Sequence, residues 1–174
     1  MLHRTLREDI RVECRFTPEA AGIMGDSGQI EQVVLNLALN SQDAMPNGGD
    51  LIFETRFEKP DKVFLEAHPD ISDGLHVVFT VRDTGVGMTP EEIGRMFEPF
   101  FTTHGHGSGK GTGLGLAIVH GIVQQHSGCI AVTSEVGKGT VVEIFFPAAQ
   151  VSPEAAHPAA EDRPKTVGGN ETIL

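Results

Sequence analysis

The sequence predicts an α+β fold, a two-layer α/β sandwich in which one mixed β-sheet carries helices packed on one face. Three observations lead there. Five strand-type runs and two long helix-period runs follow one another without strict βαβ alternation, which argues against a wound parallel sheet. Hydrophobic residues make up 39% and charged residues 21%, ordinary proportions for a domain with one core. A chain of 174 residues, at roughly 100–200 residues per domain, holds one domain and some extra chain.

The elements are expected within residues 10–147. Residues 10–16 (IRVECRF) alternate and read as a strand. Gly25-Asp26-Ser27-Gly28-Gln29 opens a helix, with Asp26 as N-cap and Gln29 as its capping-box partner three residues on. That helix should run to about Met45 and stop at Pro46-Asn47-Gly48-Gly49. Ile30, Val33, Val34, Leu37, Ser41 and Ala44 keep helical spacing, Ser41 being the one polar lapse. Residues 51–57 read as a strand, 59–74 as a polar, Pro-containing loop, and 75–82 as a buried-type strand that ends at Asp83. Thr89-Pro90-Glu91-Glu92 is a helix start, with a Thr cap, Pro at the first position and acids in the first turn. Residues 96–112 are irregular and increasingly glycine-rich. A second long helix fits 113–125, closed by Ser127-Gly128, and strands 129–134 and 140–146 flank the Val136-Gly137-Lys138-Gly139 turn. Residues 148–170 have the Ala/Pro-rich composition of a linker, and 171–174 look like a strand just beginning.

The formal net charge is −11, from 13 Lys plus Arg against 24 Asp plus Glu. Such a chain is a poor ligand for nucleic acid or anionic lipid. A phosphate-bearing partner must therefore be held by backbone N–H groups, a metal or a few placed cations. No apolar run approaches the ~18 residues of a membrane span, and no signal-type stretch follows Met1, so a cytoplasmic chain without direct membrane contact is expected. Cys14 and Cys129 have no metal or redox spacing and are expected to be reduced, half-buried small hydrophobes. His104, His106, His120, His126 and Cys129 match no structural zinc spacing.

Three segments carry chemistry. Six glycines alternate from Gly105 to Gly115, in a run that fits neither the Walker pattern nor the dinucleotide fingerprint. What remains is a flexible loop feeding a helix start at Gly113, whose unpaired N–H groups suit a phosphate; the plain alternative is a surface loop. Asp83-Thr84-Gly85-Val86-Gly87 sets a carboxylate at a strand end before two glycines that let a flat ring approach. Asp accepts from the amino group of adenine, where guanine presents an acceptor; the plain alternative is an acid in a turn. Gln32, Asn36 and Asn40 recur every four residues as one polar stripe on an apolar helix. Buried amides are costly unless satisfied, and amide oxygens are hard ligands that suit Mg²⁺. Bonding to neighbouring backbone is the alternative.

In their order, Gln32-Val-Val-Leu-Asn36-Leu-Ala-Leu-Asn40, Asp83-Thr-Gly-Val-Gly-Met88, Phe97-Glu-Pro-Phe-Phe-Thr-Thr103 and Gly111-Thr-Gly-Leu-Gly-Leu116 resemble four motifs of one family. They are the Asn box, first glycine box, Phe box and second glycine box of the catalytic ATP-binding domain of sensor histidine kinases. That family lies in the superfamily of gyrase, chaperone, histidine kinase and mismatch-repair ATPases. The resemblance covers residues 10–147, and Asp43-Ala-Met-Pro-Asn-Gly-Gly49 resembles the branch of nitrogen-regulation sensors and hybrid kinases. It implies a Bergerat-type ATP-binding fold with ATP and Mg²⁺ as cofactors. It places Asn40 and Asn36 toward Mg²⁺ and phosphate, and Asp83 on adenine with Gly85 and Gly87 lining the ring. It makes residues 97–112 the ATP lid, with Gly111, Gly113 and Gly115 facing the phosphates. Phe97, Thr103, His104, Thr112 and Leu114 join the nucleotide-binding set, and Thr140 sits near adenine through water. Lys110, in the lid, is the expected mobile cation on the terminal phosphates, with a solvated lysine as the alternative; Asn36, Asn40 and Lys110 are the catalytic candidates. Phe97, Phe100 and Phe101 are expected to anchor the lid against the domain, with partner docking as the alternative.

The resemblance also bears on reaction type. Hydrolytic relatives place a water-activating Glu four residues before the metal Asn, and here that position is Asn36. Transfer to another acceptor is therefore favoured over hydrolysis. In the kinases the acceptor is a His on a separate dimerisation domain, usually followed by Glu or Asp; none of the eight His here is so followed. Residues 1–9 are accordingly expected to be the end of a connection to that domain, and 171–174 the start of a receiver domain. The reading is a histidine kinase catalytic domain. The alternatives are a nucleotide-sensing module without transfer activity and a slow gyrase-like ATPase. Two departures from the family stand out: His104 where Lys is frequent, and Asp43 where a basic residue often follows the metal Asn by three. Both imply a weaker phosphate grip, or one that depends on pH through His104.

Overall fold

The computed structural model describes residues 5–17, 22–68, 71–102 and 112–149. Nine elements follow in order: β1 (Ile10–Arg15), α1 (Ser27–Ala44), β2 (Gly49–Glu58), α2 (Lys62–Ala67), β3 (His76–Asp83), α3 (Pro90–Arg95), α4 (Gly115–Gln125), β4 (Cys129–Glu135) and β5 (Gly139–Pro147). The sheet has five strands in the order β1-β2-β3-β5-β4. β1 pairs β2 in parallel, which requires a crossover, and α1 supplies it. The remaining pairs are antiparallel, with Phe53 opposite Val81 and Asp83 opposite Thr140. The mixed sheet expected from the sequence is present.

The helices form where their ends are satisfied. Asp26 accepts from the Gln29 N–H at 2.9 Å and caps α1, and Thr89 with Glu92 forms a complete capping box at α3. α1 buries Val33, Leu37, Ala38 and Ser41, α4 buries Val119, Ile122 and Val123, and both pack on Leu51, Phe53, Val81, Val142, Ile144 and Phe146 from one face of the sheet. α4 begins at Gly115, two residues later than the sequence suggests. Gly113 has φ +68°, a left-handed conformation that no helix continues through, and its carbonyl accepts from the Phe100 N–H at 2.9 Å. At its other end, His126 donates from Nδ1 to the Ile122 carbonyl at 2.8 Å and accepts at Nε2 from the Asp26 N–H at 3.2 Å. This ring ties the end of α4 to the start of α1.

Two further features differ from the sequence reading. The segment 59–74, read as a loop, contains α2, capped by Asp61 accepting from the Phe64 N–H at 2.7 Å. Phe64 and Leu65 pack with Ile71, Val78 and Phe145 in a small second cluster, so this helix covers part of the opposite sheet face. Six residues give too few apolar repeats to show a helical period, which is why the sequence hid it. Cys14 is exposed rather than half-buried, because β1 is an edge strand; Cys129 is half-buried, with Sγ 3.5 Å from His68 Nδ1.

The chain on either side of 10–147 is also bonded to the domain. Leu6 is buried in the main core, the Arg7 N–H donates to Gln42 Oε1 at 2.7 Å, and Arg7 Nη2 donates to the Met45 carbonyl at 2.7 Å. Ala148 and Ala149 donate to the carbonyls of Leu75 and Gly22. Residues 150–174, where the linker and a further strand are expected, lie outside the described residues. Among the described residues no helix is long and apolar enough to cross a membrane.

Candidate functional site

A cleft of about 470 Å³ opens between the C-terminal half of α1, the start of α4 and the ends of β3 and β5. Its floor is the Asp83 carboxylate at the last residue of β3, which is 6% exposed. Asp83 Oδ1 accepts from the Gly85 N–H at 2.9 Å and the Thr140 N–H at 3.2 Å, and Oδ2 accepts from Ser41 Oγ at 3.2 Å. Burial pushes this carboxyl above the ordinary carboxylate value, against the three hydrogen bonds from Gly85, Ser41 and Thr140, which pull it down. The polar lapse on the apolar face of α1 is thereby explained: Ser41 serves Asp83.

The loop after Asp83 is fixed from two sides. The Val86 N–H donates to the Ala44 carbonyl at 2.9 Å, at the last residue of α1. A Cβ on Gly85 would stand 2.6 Å from that same carbonyl oxygen, so only glycine lets the loop lie against the helix end. On the other side, Ser134 Oγ accepts from the Met88 N–H at 2.9 Å, donates to the Gly139 carbonyl at 3.0 Å and pairs with Thr140 Oγ1 at 2.9 Å. The result is a slot at the sheet end, walled by Val86, Gly87, Met88 and Met96, with a hydrogen-bond acceptor at its base.

The far end of the cleft is amide and glycine. Asn36 Nδ2 donates to the Gly115 carbonyl at 3.3 Å, at the first residue of α4, which leaves its oxygen for other partners. Asn40 Nδ2 is buried and has no hydrogen-bond partner among the described residues, and it lies 3.4 Å from where a Gly115 Cβ would stand. A buried amide left unpaired is costly, and here it faces the close approach of α4 that a glycine permits. Two amides beside a helix start fit a hard cation and phosphate oxygens: oxygen donors for the one, N–H donors for the other.

Of the residues singled out from sequence, Asn36, Asn40, Asp83, Gly87, Thr112, Gly113, Gly115 and Thr140 line this cleft, and Gly85 is buried directly behind it. Phe97 and Leu114 do not line it. Phe97 stacks against His120 instead, with ring centroids 5.1 Å apart. Phe101 lines the cleft and lies under the Arg95 guanidinium at 4.5 Å, whereas Phe100 is 70% exposed and is held through its backbone N–H on the Gly113 carbonyl. Thr103, His104, Lys110 and Gly111 lie outside the described residues. Sequence reasoning missed Ser41, Asp43, Ala44, Met88 and Met96 as lining residues. The signal for Asp43 and Ala44 was available, since they follow Asn40 by three and four residues on a helix and so share its face.

Residues 25–150 match the family model described as Histidine kinase-, DNA gyrase B-, and HSP90-like ATPase. The chain is 38% identical over 180 residues to Sensor kinase CckA of Brucella abortus, an alignment that takes in all of this chain and 19% of that protein. It is 32% identical over 146 residues to Sporulation kinase E of Bacillus subtilis, covering 84% of this chain and 17% of that one. The chain thus spans about a fifth of the length of these curated relatives. Among solved structures it superposes on the Mycobacterial sensor histidine kinase MprB with a TM-score of 0.64 at 30% identity, over 84% of this chain and 87% of that chain. It superposes on ShkA full-length in complex with AMPPNP with a TM-score of 0.62 at 28% identity, over 80% of this chain and 26% of that chain.

Proposed function

The chain belongs to the histidine kinase-, DNA gyrase B- and HSP90-like ATPase family, and from that premise we propose that its cleft presents ATP for transfer of the γ-phosphoryl group to a His on a separate dimerisation domain. Its relatives are sensor kinases, and this domain is the ATP-binding catalytic unit of a kinase of that kind. The observation that carries the proposal is Asp83, a buried carboxylate held by three donors at the floor of a cleft whose other end is Asn36, Asn40 and the start of α4. The AMPPNP complex of the similar ShkA structure supports the same use of the cleft.

Adenine enters the slot between Val86 and Met96 with its amino group on Asp83. Gly87 lines the slot, its left-handed turn held against the Glu135 backbone where a Cβ would collide, and Thr140, tied to Ser134, holds a polar position beside it. The phosphates run toward Asn36, Asn40 and the N–H groups at Gly113 and Gly115. Mg²⁺, when bound there, neutralises phosphate charge, and the amide oxygens of Asn40 and Asn36 would hold it. In the transfer, the bond from the γ-phosphorus to the bridging oxygen breaks, a bond to the acceptor imidazole nitrogen forms, and ADP leaves. That reaction asks for alignment and charge neutralisation more than for covalent help from the protein. Asn36, at the position of the hydrolases' Glu, offers no carboxylate to activate water, so transfer outruns hydrolysis. Lys110 and His104 would complete the phosphate grip from the lid. A receiver domain downstream and a cytoplasmic location belong to the same proposal.

Calorimetric titration of Mg-ADP, Mg-ATP and Mg-GTP into the wild type and Asp83→Asn tests the nucleotide site. Adenine-selective binding lost in Asp83→Asn is the expected result. The same binding undiminished in Asp83→Asn would remove the observation that the proposal rests on. Adding a dimerisation domain from a similar kinase with labelled ATP tests the transfer itself: label on its His is expected, and label released as inorganic phosphate alone would make the domain a slow ATPase.

A further inference from the structure

Asp43 brings a negative charge into a cleft that has to hold an anion. It follows Asn40 by one helical turn and lines the cleft with Asn36, Asn40 and Ala44. The second carboxylate of the lining, Asp83, is occupied by three donors. Asp43 is exposed and makes no hydrogen bond or ion pair among the described residues. Arg7 acts on it only through space: its guanidinium is held by Asp9 at 2.9 Å and by the Met45 carbonyl at 2.7 Å, and Asp43 adds to the upward shift that Asp9 causes on Arg7. Among the described residues no Lys, Arg or His lines the cleft.

From the described residues of the cleft, a nucleoside di- or triphosphate therefore meets amides, backbone N–H groups and a carboxylate with no hydrogen bond or ion pair of its own. Like charges repel more strongly in a partly dehydrated cleft than in water, so a bare polyphosphate is disfavoured beside Asp43. A hard divalent cation reverses the sign. Mg²⁺ is characteristically held by one or two carboxylates together with substrate phosphates and its own waters. Asp43 is the carboxylate of the described lining with its oxygens free, and Asn40, whose buried Nδ2 has no partner among the described residues and suits a phosphate oxygen of the same complex, stands one turn away.

We propose that Asp43 makes nucleotide binding obligatorily dependent on a divalent cation, its carboxylate contacting the cation directly or through one of the cation's waters. The inference rests on the reading that this cleft holds ATP. Metal-free nucleotide is rejected by the same side chain that recruits the metal complex. The site thus selects for the species that is chemically competent in transfer, and Asp43 determines that specificity.

The test compares ADP affinity in excess Mg²⁺ and in EDTA, by calorimetry, for the wild type, Asp43→Asn and Asp43→Lys, with a melting curve for each to establish folding. The wild type should prefer the metal complex strongly. That preference should fall by about tenfold in Asp43→Asn and further in Asp43→Lys, because metal-free ADP binds better once the charge is gone. Mn²⁺ titrated in the presence of ADP gives a second readout, the bound metal dissociating more readily from both variants. A metal preference unchanged in folded Asp43→Asn and Asp43→Lys overturns the proposal. So does an Asp43→Asn variant that weakens ADP equally with and without metal and loses discrimination against 2′-deoxy-ADP, which would assign Asp43 to the ribose. A wild type that binds no ADP even with Mg²⁺ overturns the nucleotide reading itself, an outcome distinct from either.

Discussion

The Asp83 carboxylate shows what a single residue trades between stability and binding. Its folded-state pKa is raised by burial, so the folded protein holds the proton more tightly than the unfolded chain does. The stability Asp83 contributes is fully present below the ordinary carboxylate pKa and is lost as pH rises through the raised value. At neutral pH the ionised group is therefore a cost to the fold, offset by the N–H groups of Gly85 and Thr140 and by Ser41 Oγ. Asp83→Asn keeps an oxygen for the two N–H groups and removes the buried charge. It should melt no lower than the wild type at pH 7, with the difference narrowing as pH falls toward 4. The same substitution offers adenine a donor in place of an acceptor, and loss of one charged hydrogen bond, about 1.5–3 kcal/mol, weakens Mg-ADP by about 10–100-fold. Calorimetry over a series of falling pH separates the effects: the wild type loses affinity as pH drops through the raised carboxyl value and Asp83→Asn does not. Gly85→Ala makes a sharper prediction. Its methyl group would meet the Ala44 carbonyl, and expulsion of the loop from the end of α1 should abolish ADP binding while the core of the sheet stays folded, by circular dichroism.

At the scale of the element, α1 organises both core and cleft. One face carries Val33, Leu37 and Ala38 into the core, and the adjacent stripe sends Asn36, Asn40 and Asp43 to the cleft. Leu37→Ala should lower stability by about 2–5 kcal/mol in denaturant titration, the range for a fully buried aliphatic truncation. Loss of the Asp61 cap in Asp61→Ala should cost about 0.5–2 kcal/mol at most and leave ADP affinity unchanged, because α2 lies on the sheet face away from the cleft. The helix ends were legible where a side chain announces them. Asp26 and Thr89 sit where the sequence suggests, whereas the true start of α4 is set by the left-handed φ of Gly113, a conformation with no mark of its own in a run of alternating glycines. α2 was illegible for a related reason: its stability comes from Phe64 and Leu65 meeting Val78 and Phe145, residues far away in the chain.

For the whole molecule, nucleotide binding and folding are one linked equilibrium. ADP at 100 times its Kd stabilises the folded state by about 2.7 kcal/mol, a rise of roughly 5–10 °C in melting temperature for a domain of this size. Because the chain carries a net charge of −11, the rise should be present with Mg-ADP and largely absent with ADP in EDTA, and Asp43→Lys should restore part of it. The sequence by itself determined the mixed sheet, the two long helices, the acidic net charge, and the order of motifs that marks the family. These are local properties: period, capping, composition and spacing along the chain. Only the tertiary structure decided that Ser41 is a partner of Asp83, that Ala44 fixes the glycine loop, that Phe97 packs on His120, and that Asp43 stands in the cleft wall without a hydrogen bond or ion pair among the described residues. Each depends on two segments far apart in sequence meeting at a definite distance, which no periodicity within either segment encodes.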